Sequence, residues 1–159
     1  VALWVYSNAS AEGSVFGTDT TSPDRFQAHI PWTNGTLYWD YGDYTRNGRI
    51  TFDYADSPNG NNYKNQWTHV TLVSEGAGGA KKGIYINGGD SGNGEQNVNN
   101  SVSDGPSVDA TDFEIGRFVN QSVDGPVETY YFDGRIDDFR LYNRVLSEDE
   151  IADLYRITK

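Results

Sequence analysis

Aromatic planes and carboxylates crowd one short stretch of this chain. Within 13 residues lie Trp32, Tyr38, Asp40, Tyr41, Asp43 and Tyr44. Aromatic faces cover the C–H patches of a polyhydroxylated ligand, and carboxylates bond its hydroxyls. These six are therefore the candidate saccharide contacts. Trp32 beside a turn and Tyr44 in a loop are the exposed candidates among them, whereas Trp4, Trp39 and Trp67 read as core. Covalent and acid–base chemistry has less to draw on. Cysteine is absent, so no thiolate nucleophile, zinc–thiolate site or disulfide framework exists. Only His29 and His69 are present, with no Ser/His/Asp arrangement around either. Glu148 and Glu150 are close in sequence, but they read as helix-capping residues.

The charge narrows the partners. Twelve basic against 23 acidic residues leave −11 over 159 residues. Such a polyanion repels phosphate backbones and anionic lipid headgroups, so no nucleic acid partner is expected. No apolar run approaches the roughly 20 residues of a membrane-spanning helix, so no membrane insertion is expected. The balance suits a soluble, acidic protein of extracellular type, its carboxylates mainly a solubilising surface. The chain begins at Val1 and reads as a processed product or a segment of something longer. Four N-x-S/T sequons, at Asn8, Asn34, Asn99 and Asn120, carry meaning only in a glycosylating host.

The elements that must position these residues are short strands. Gly, Asn and Asp are abundant and favour turns, while Tyr, Val, Ile and Phe favour strands. Val1–Tyr6 is apolar throughout, as in a strand covered on both faces. Strands are predicted over 14–17, 25–32, 36–42, 49–54, 66–74, 82–87, 113–119 and 130–142, with Asn34-Gly35 turning one hairpin. On the 36–42 strand, Leu37, Trp39 and Tyr41 share one face, and Thr36, Tyr38 and Asp40 the other. Residues 87–112 read as a long loop with a weak strand near 96–103. One helix follows Ser147-Glu148-Asp149-Glu150, a capping box, with Ile151, Leu154 and Tyr155 as its apolar stripe. The fold class is an all-β, antiparallel single domain with one short C-terminal helix.

The segment Gly134-Arg135-Ile136-Asp137-Asp138-Phe139-Arg140-Leu141-Tyr142-Asn143-Arg144-Val145-Leu146-Ser147, running on to Leu154-Tyr155, resembles the closing motif of laminin-G-like domains. These belong to the pentraxin-related, concanavalin A-like lectin/glucanase superfamily. Ala2-Leu3-Trp4-Val5, Gln66-Trp67-Thr68-His69-Val70, Ile84-Tyr85-Ile86-Asn87-Gly88 and Phe113-Glu114-Ile115-Gly116 resemble further family strands in the same order. The resemblance spans nearly the whole chain and implies a two-sheet antiparallel jelly roll of about a dozen strands whose face often binds glycans.

The resemblance carries further expectations. The superfamily's hydrolases use an E-x-D-x-E run, which is absent here, so no enzyme is expected. Relatives hold a structural calcium on an acidic residue of the penultimate strand, and Asp137 matches that position. Its alternative role is to bond loop backbone or pair with Arg, as for Asp138. The pentraxin double-calcium run is not carried over: Arg117-Phe118-Val119-Asn120 stands after Gly116, and Glu95-Gln96-Asn97 lies in another loop. Gly88–Asn93 is loosely similar to a calcium-binding glycine repeat and reads as a flexible loop. Family members begin with a strand ahead of the one at Val1–Tyr6. Its absence predicts an open sheet edge, and with it a multi-chain assembly or a longer parent protein. The functional expectation is a non-catalytic carbohydrate-binding or adhesion module of a larger extracellular, cell-surface or virion protein. The alternative is a structural or assembly domain, such as a phage decoration or fibre protein, whose partner is another protein chain.

Overall fold

The computed structural model describes residues 1–18, 24–43, 48–76, 79–101, 112–121 and 127–159. Twelve strands are found among them: β1 (Ala2–Ser7), β2 (Phe16–Thr18), β3 (Asp24–His29), β4 (Thr36–Asp43), β5 (Arg49–Asp53), β6 (Trp67–Ser74), β7 (Lys82–Ile86), β8 (Glu95–Asn99), β9 (Phe113–Ile115), β10 (Arg117–Gln121), β11 (Val127–Tyr131) and β12 (Gly134–Arg140). A single helix, α1 (Glu148–Thr158), follows them. Two five-stranded antiparallel sheets form the sandwich, in the orders β12-β1-β6-β7-β8 and β5-β4-β3-β2-β9, and β10 and β11 make a separate ribbon. This is the jelly-roll class expected from the sequence.

Alternation decides which side chains face inward. Leu3, Val5, Val70, Leu72, Ile84 and Ile86 of the first sheet meet Phe16, Ala28, Leu37, Trp39, Ile50 and Phe52 of the second in one buried cluster. Two polar ties cross this core. The Trp39 indole N–H donates to the Val73 carbonyl at 3.0 Å. The Lys82 ammonium, fully buried, donates to the carbonyls of Tyr41 and Gly48. Burying an ammonium is expensive, and these carbonyl bonds offset part of that cost.

The outer face of the first sheet has its own cover. Ala2, Val73 and Tyr85 pack there against Leu146, Ile151 and Leu154. The helix that brings them begins where the sequence places it. Ser147 Oγ accepts the Glu150 N–H at 3.2 Å, and the Glu150 carboxylate accepts the Ser147 N–H at 2.8 Å.

Several sequence expectations are refined. The stretch 113–119 is broken at Gly116, whose φ is +83°, so β9 joins the second sheet and β10 leaves to pair with β11. The stretch 130–142 likewise divides into β11 and β12. Within the predicted long loop, Glu95–Asn99 is a full strand paired with β7, and residues 102–111 lie outside the described residues. Strand β1 has hydrogen-bonded neighbours on both sides, β12 and β6, and the edge position of that sheet falls to β12.

Candidate functional site

The aromatic and acidic candidates among the described residues do not converge on one surface. Tyr38 and Asp40 point out of the second sheet, whereas Tyr41 points inward and packs on Phe26 and Trp39, with ring centroids 5.8 and 6.3 Å away. Asp40 is fully buried and so is corrected from a ligand contact to a structural one. Arg49 clamps it through two bonds of 2.5 and 2.7 Å, and Gln27 Nε2 adds a third at 3.1 Å. Tyr44 and the Asp43 side chain lie outside the described residues.

What remains on the outer face is compact. A tight turn from Trp32 to Gly35 closes with the Gly35 N–H on the Trp32 carbonyl at 2.8 Å, and Gly35 holds φ at +83°. Only glycine adopts that conformation without a Cβ penalty. In the turn, the exposed Asn34 amide donates to the Tyr38 hydroxyl at 2.6 Å, leaving the phenolic proton free to donate outward. Half-buried Trp32 and Tyr38 flank the His29 ring at 4.4 and 6.4 Å between centroids. The Arg49 guanidinium lies 4.5 Å from the Tyr38 ring centre. Beneath this shelf runs a buried polar ladder of His29, Gln27 and Asp40.

The ladder brings together a serine and a histidine that the sequence did not pair. Ser14 Oγ lies 2.9 Å from His29 Nδ1. The same nitrogen lies 2.9 Å from the Gly13 carbonyl, which only accepts, so Nδ1 carries the proton. Nε2 then accepts from Gln27 Nε2 at 3.1 Å. A protonated Nδ1 cannot take a proton from Ser14, and Ser14 itself is fully buried. Burial pushes the imidazole down to about 4, against a smaller upward pull from the Gly13 bond and Asp40. This arrangement is a packing device with no base poised for a nucleophile.

The second sheet is not alone in presenting aromatics. On the outer face of the first sheet, beyond the last turn of α1, Trp4, Trp67 and Tyr155 line a cavity of about 510 Å³ together with Gln66, Asn87 and Asp137. Trp4 and Trp67, expected in the core, are corrected here: Trp4 is half-buried and Trp67 is 42% exposed. The reason is alternation about Leu3, Val5 and Val70, which places both indoles on the side away from the core. Register aligns Asp137, Trp4 and His69 in one row across β12, β1 and β6. Trp4 Nε1 donates to Thr158 Oγ1 at 2.9 Å, and its ring centre lies 5.3 Å from His69 and 5.8 Å from Tyr155. Burial again lowers the histidine, His69, to about 4. The period-two pattern of Trp67, His69 and Thr71 against Thr68, Val70 and Leu72 was the available signal for this face. It does not by itself say that the face is half open.

The calcium expectation meets a thin donor set. Asp137 Oδ1 accepts the Asp138 N–H at 2.8 Å, and Asp138 pairs with Arg140 at 2.8 Å. Lys159, a cation, lines the same cavity as Asp137. Among the described residues no group of three His, Cys, Asp or Glu side chains gathers as a metal site. Calcium takes six to eight oxygens, so the described residues do not fit it. Nor, among the described residues, is any helix long and apolar enough to cross a membrane.

Comparison with known proteins agrees with the two-sheet fold. A laminin G-like family model described as the concanavalin A-like lectin/glucanases superfamily matches residues 1–152. No curated protein sequence matches the chain. Among solved structures, the SAP-like heptameric pentraxin of Limulus polyphemus aligns with a TM-score of 0.65 at 17% identity, over 97% of this chain and 67% of the pentraxin. The receptor binding domain of botulinum neurotoxin mosaic serotype C/D aligns with a TM-score of 0.56 at 20% identity, over 98% of this chain. The chain spans 35% of that toxin domain's length. At these identities the likeness concerns the fold.

Proposed function

The chain belongs to the concanavalin A-like lectin/glucanases superfamily, and from that premise we propose that it is a non-catalytic carbohydrate-binding module of a larger extracellular, cell-surface or virion protein. The observation that carries this reading is the Trp32–Tyr38 shelf, two half-exposed aromatics whose orientation is set by His29, Asn34 and Arg49. A rigid aromatic shelf with a free phenolic proton and an exposed amide suits the C–H face and hydroxyls of a sugar ring. Pre-organisation by the buried ladder keeps the cost of ordering low.

We read the shelf as non-catalytic from the state of Asp40 and Glu114. A glycosidase sets two carboxyl groups on either side of the scissile bond. Beneath this shelf, Asp40 is buried and paired with Arg49, and on the same sheet Glu114 is paired with Arg117. Sugar contact here relies on stacking and on hydrogen bonds from the described side chains.

Binding to a panel of gluco-, xylo- and galacto-oligosaccharides, measured by titration calorimetry, tests the reading. Trp32→Ala and Tyr38→Ala are each expected to weaken binding at the shelf by about tenfold or more, with the melting temperature little changed. Binding at undiminished strength in both variants would overturn the assignment of the shelf.

A second reading, an assembly domain without a sugar ligand, draws on one observation: β12 is an edge strand, a position open to strand addition by another chain. Sedimentation of the chain at rising concentration tests it, with concentration-dependent oligomers as the supporting result and a persistent monomer as the opposing one.

A further inference from the structure

We propose that the cavity between the last turn of α1 and the outer face of the first sheet is a second saccharide site, for a neutral sugar, independent of Trp32 and Tyr38. It shares the ligand chemistry of the proposed function but none of its residues. Its size, about 510 Å³, is that of a small-molecule site. Three aromatic side chains meet there, and one of them, Trp67, stays 42% exposed on a strand whose core face is fully used. An indole left open beside a second indole and a phenol is a stacking surface rather than unfinished core.

The polar groups around it each have one atom engaged and one to spare. Asn87 Oδ1 accepts the His69 N–H at 3.0 Å, and its amide N–H₂ makes no hydrogen bond among the described residues. Gln66 Nε2 donates to the Asn62 carbonyl at 2.5 Å, which leaves its Oε1 as an acceptor. Asp137 Oδ1 is taken by the Asp138 N–H, which leaves Oδ2. One donor and two acceptors around an aromatic floor match hydroxyls that must both give and accept. Asp137 and Lys159 line the cavity with opposite charges, which favours a neutral sugar over a uronate or an amino sugar.

The platform is also held in place. Tyr155 is seated against Gly88 and Gly92, where an added Cβ would come within 3.1 and 3.5 Å of its ring. The Trp4 indole is fixed by Thr158, whose own hydroxyl donates to the Leu154 carbonyl at 2.8 Å. This cavity and the Trp32 shelf lie on opposite outer faces of the sandwich, so one sugar residue cannot reach both. A single chain therefore offers two separate contacts, and avidity arises only with a glycan long enough to reach both faces.

The test uses the Trp32→Ala/Tyr38→Ala double variant, which isolates the cavity. Its binding to the same neutral oligosaccharide panel is measured by calorimetry, with and without Trp67→Ala or, as a conservative alternative, Asp137→Asn. The expected result is residual binding in the double variant that Trp67→Ala or Asp137→Asn weakens by about tenfold. Loss of all binding in the double variant overturns the second site and leaves the proposed function standing. Residual binding indifferent to both added substitutions also overturns it. Full-strength binding in the double variant that Trp67→Ala abolishes supports the cavity and overturns the shelf.

Discussion

Two buried histidines are expected to make this protein less stable in acid. His29 and His69 are 3% and 2% exposed, and burial pushes both imidazoles down to about 4. In the unfolded chain they titrate near ~6.5. Unfolding therefore takes up protons between about pH 6.5 and pH 4, so stability is full above that window and falls as pH drops through it. Each histidine contributes on the order of 3 kcal/mol across the whole window. Denaturant midpoints measured near neutrality and at about pH 5 are expected to differ, the acidic one lower, and equal midpoints would show that the folded protein already admits the protons. Glu95 works at the same scale. Its Oε1 accepts from Ser57 Oγ and Asn61 Nδ2 at 2.8 Å and from the Tyr63 hydroxyl at 2.5 Å. Burial alone would raise its carboxyl, but these donors outweigh burial and hold it below the usual carboxylate range. Glu95→Ala strands the buried Ser57 and Tyr63 hydroxyls, and a loss of about 3 kcal/mol by urea denaturation is expected.

The connections between elements matter as much as the strands. Gly88 sits at the corner after β7 with φ at +85°, and an added Cβ would come within 3.0 Å of Gly92 and 3.1 Å of Tyr155. Gly88→Ala is expected to cost about 1–2 kcal/mol through left-handed strain and to displace Tyr155. It should weaken saccharide binding at the α1 cavity while leaving the Trp32 shelf unaffected, which calorimetry on the corresponding single-site variants would show. Ser147→Ala removes the N-cap of α1 and is expected to cost about 1 kcal/mol of stability in thermal unfolding. The shelf lies on the other sheet, so its affinity should not change. A linked loss at the shelf would mean that the two faces are coupled through the core.

At the scale of the whole molecule, no group of three metal-ligating side chains gathers among the described residues. The unfolding temperature is expected to be the same in millimolar calcium and in EDTA. A calcium site saturated a hundredfold above its Kd would instead add about 2.7 kcal/mol. A calcium-dependent rise that Asp137→Asn abolishes would restore the metal site that the resemblance implied. Incubation with β-glucans, xylans and galactans should release no reducing ends, and turnover on any of them would refute a non-catalytic module.

Strand periods, the Asn34-Gly35 turn and the Ser147–Glu150 capping box were legible in the amino-acid order, because each depends on residues within a few positions of one another. They were enough for an antiparallel all-β class and for the face on which Tyr38 and Asp40 project, whereas the two-sheet jelly roll was implied by the family resemblance. Which faces would be covered was not legible. Asp40 is buried in contact with Arg49 and Gln27, while Trp67 stayed open because α1 covers only part of the sheet it packs on. The break at Gly116 was hidden for the same reason, since partners distant in the chain decide where β9 and β10 pair. Local sequence determines which side chains share a face, whereas burial, pairing and therefore ligand access depend on what tertiary packing lays over that face.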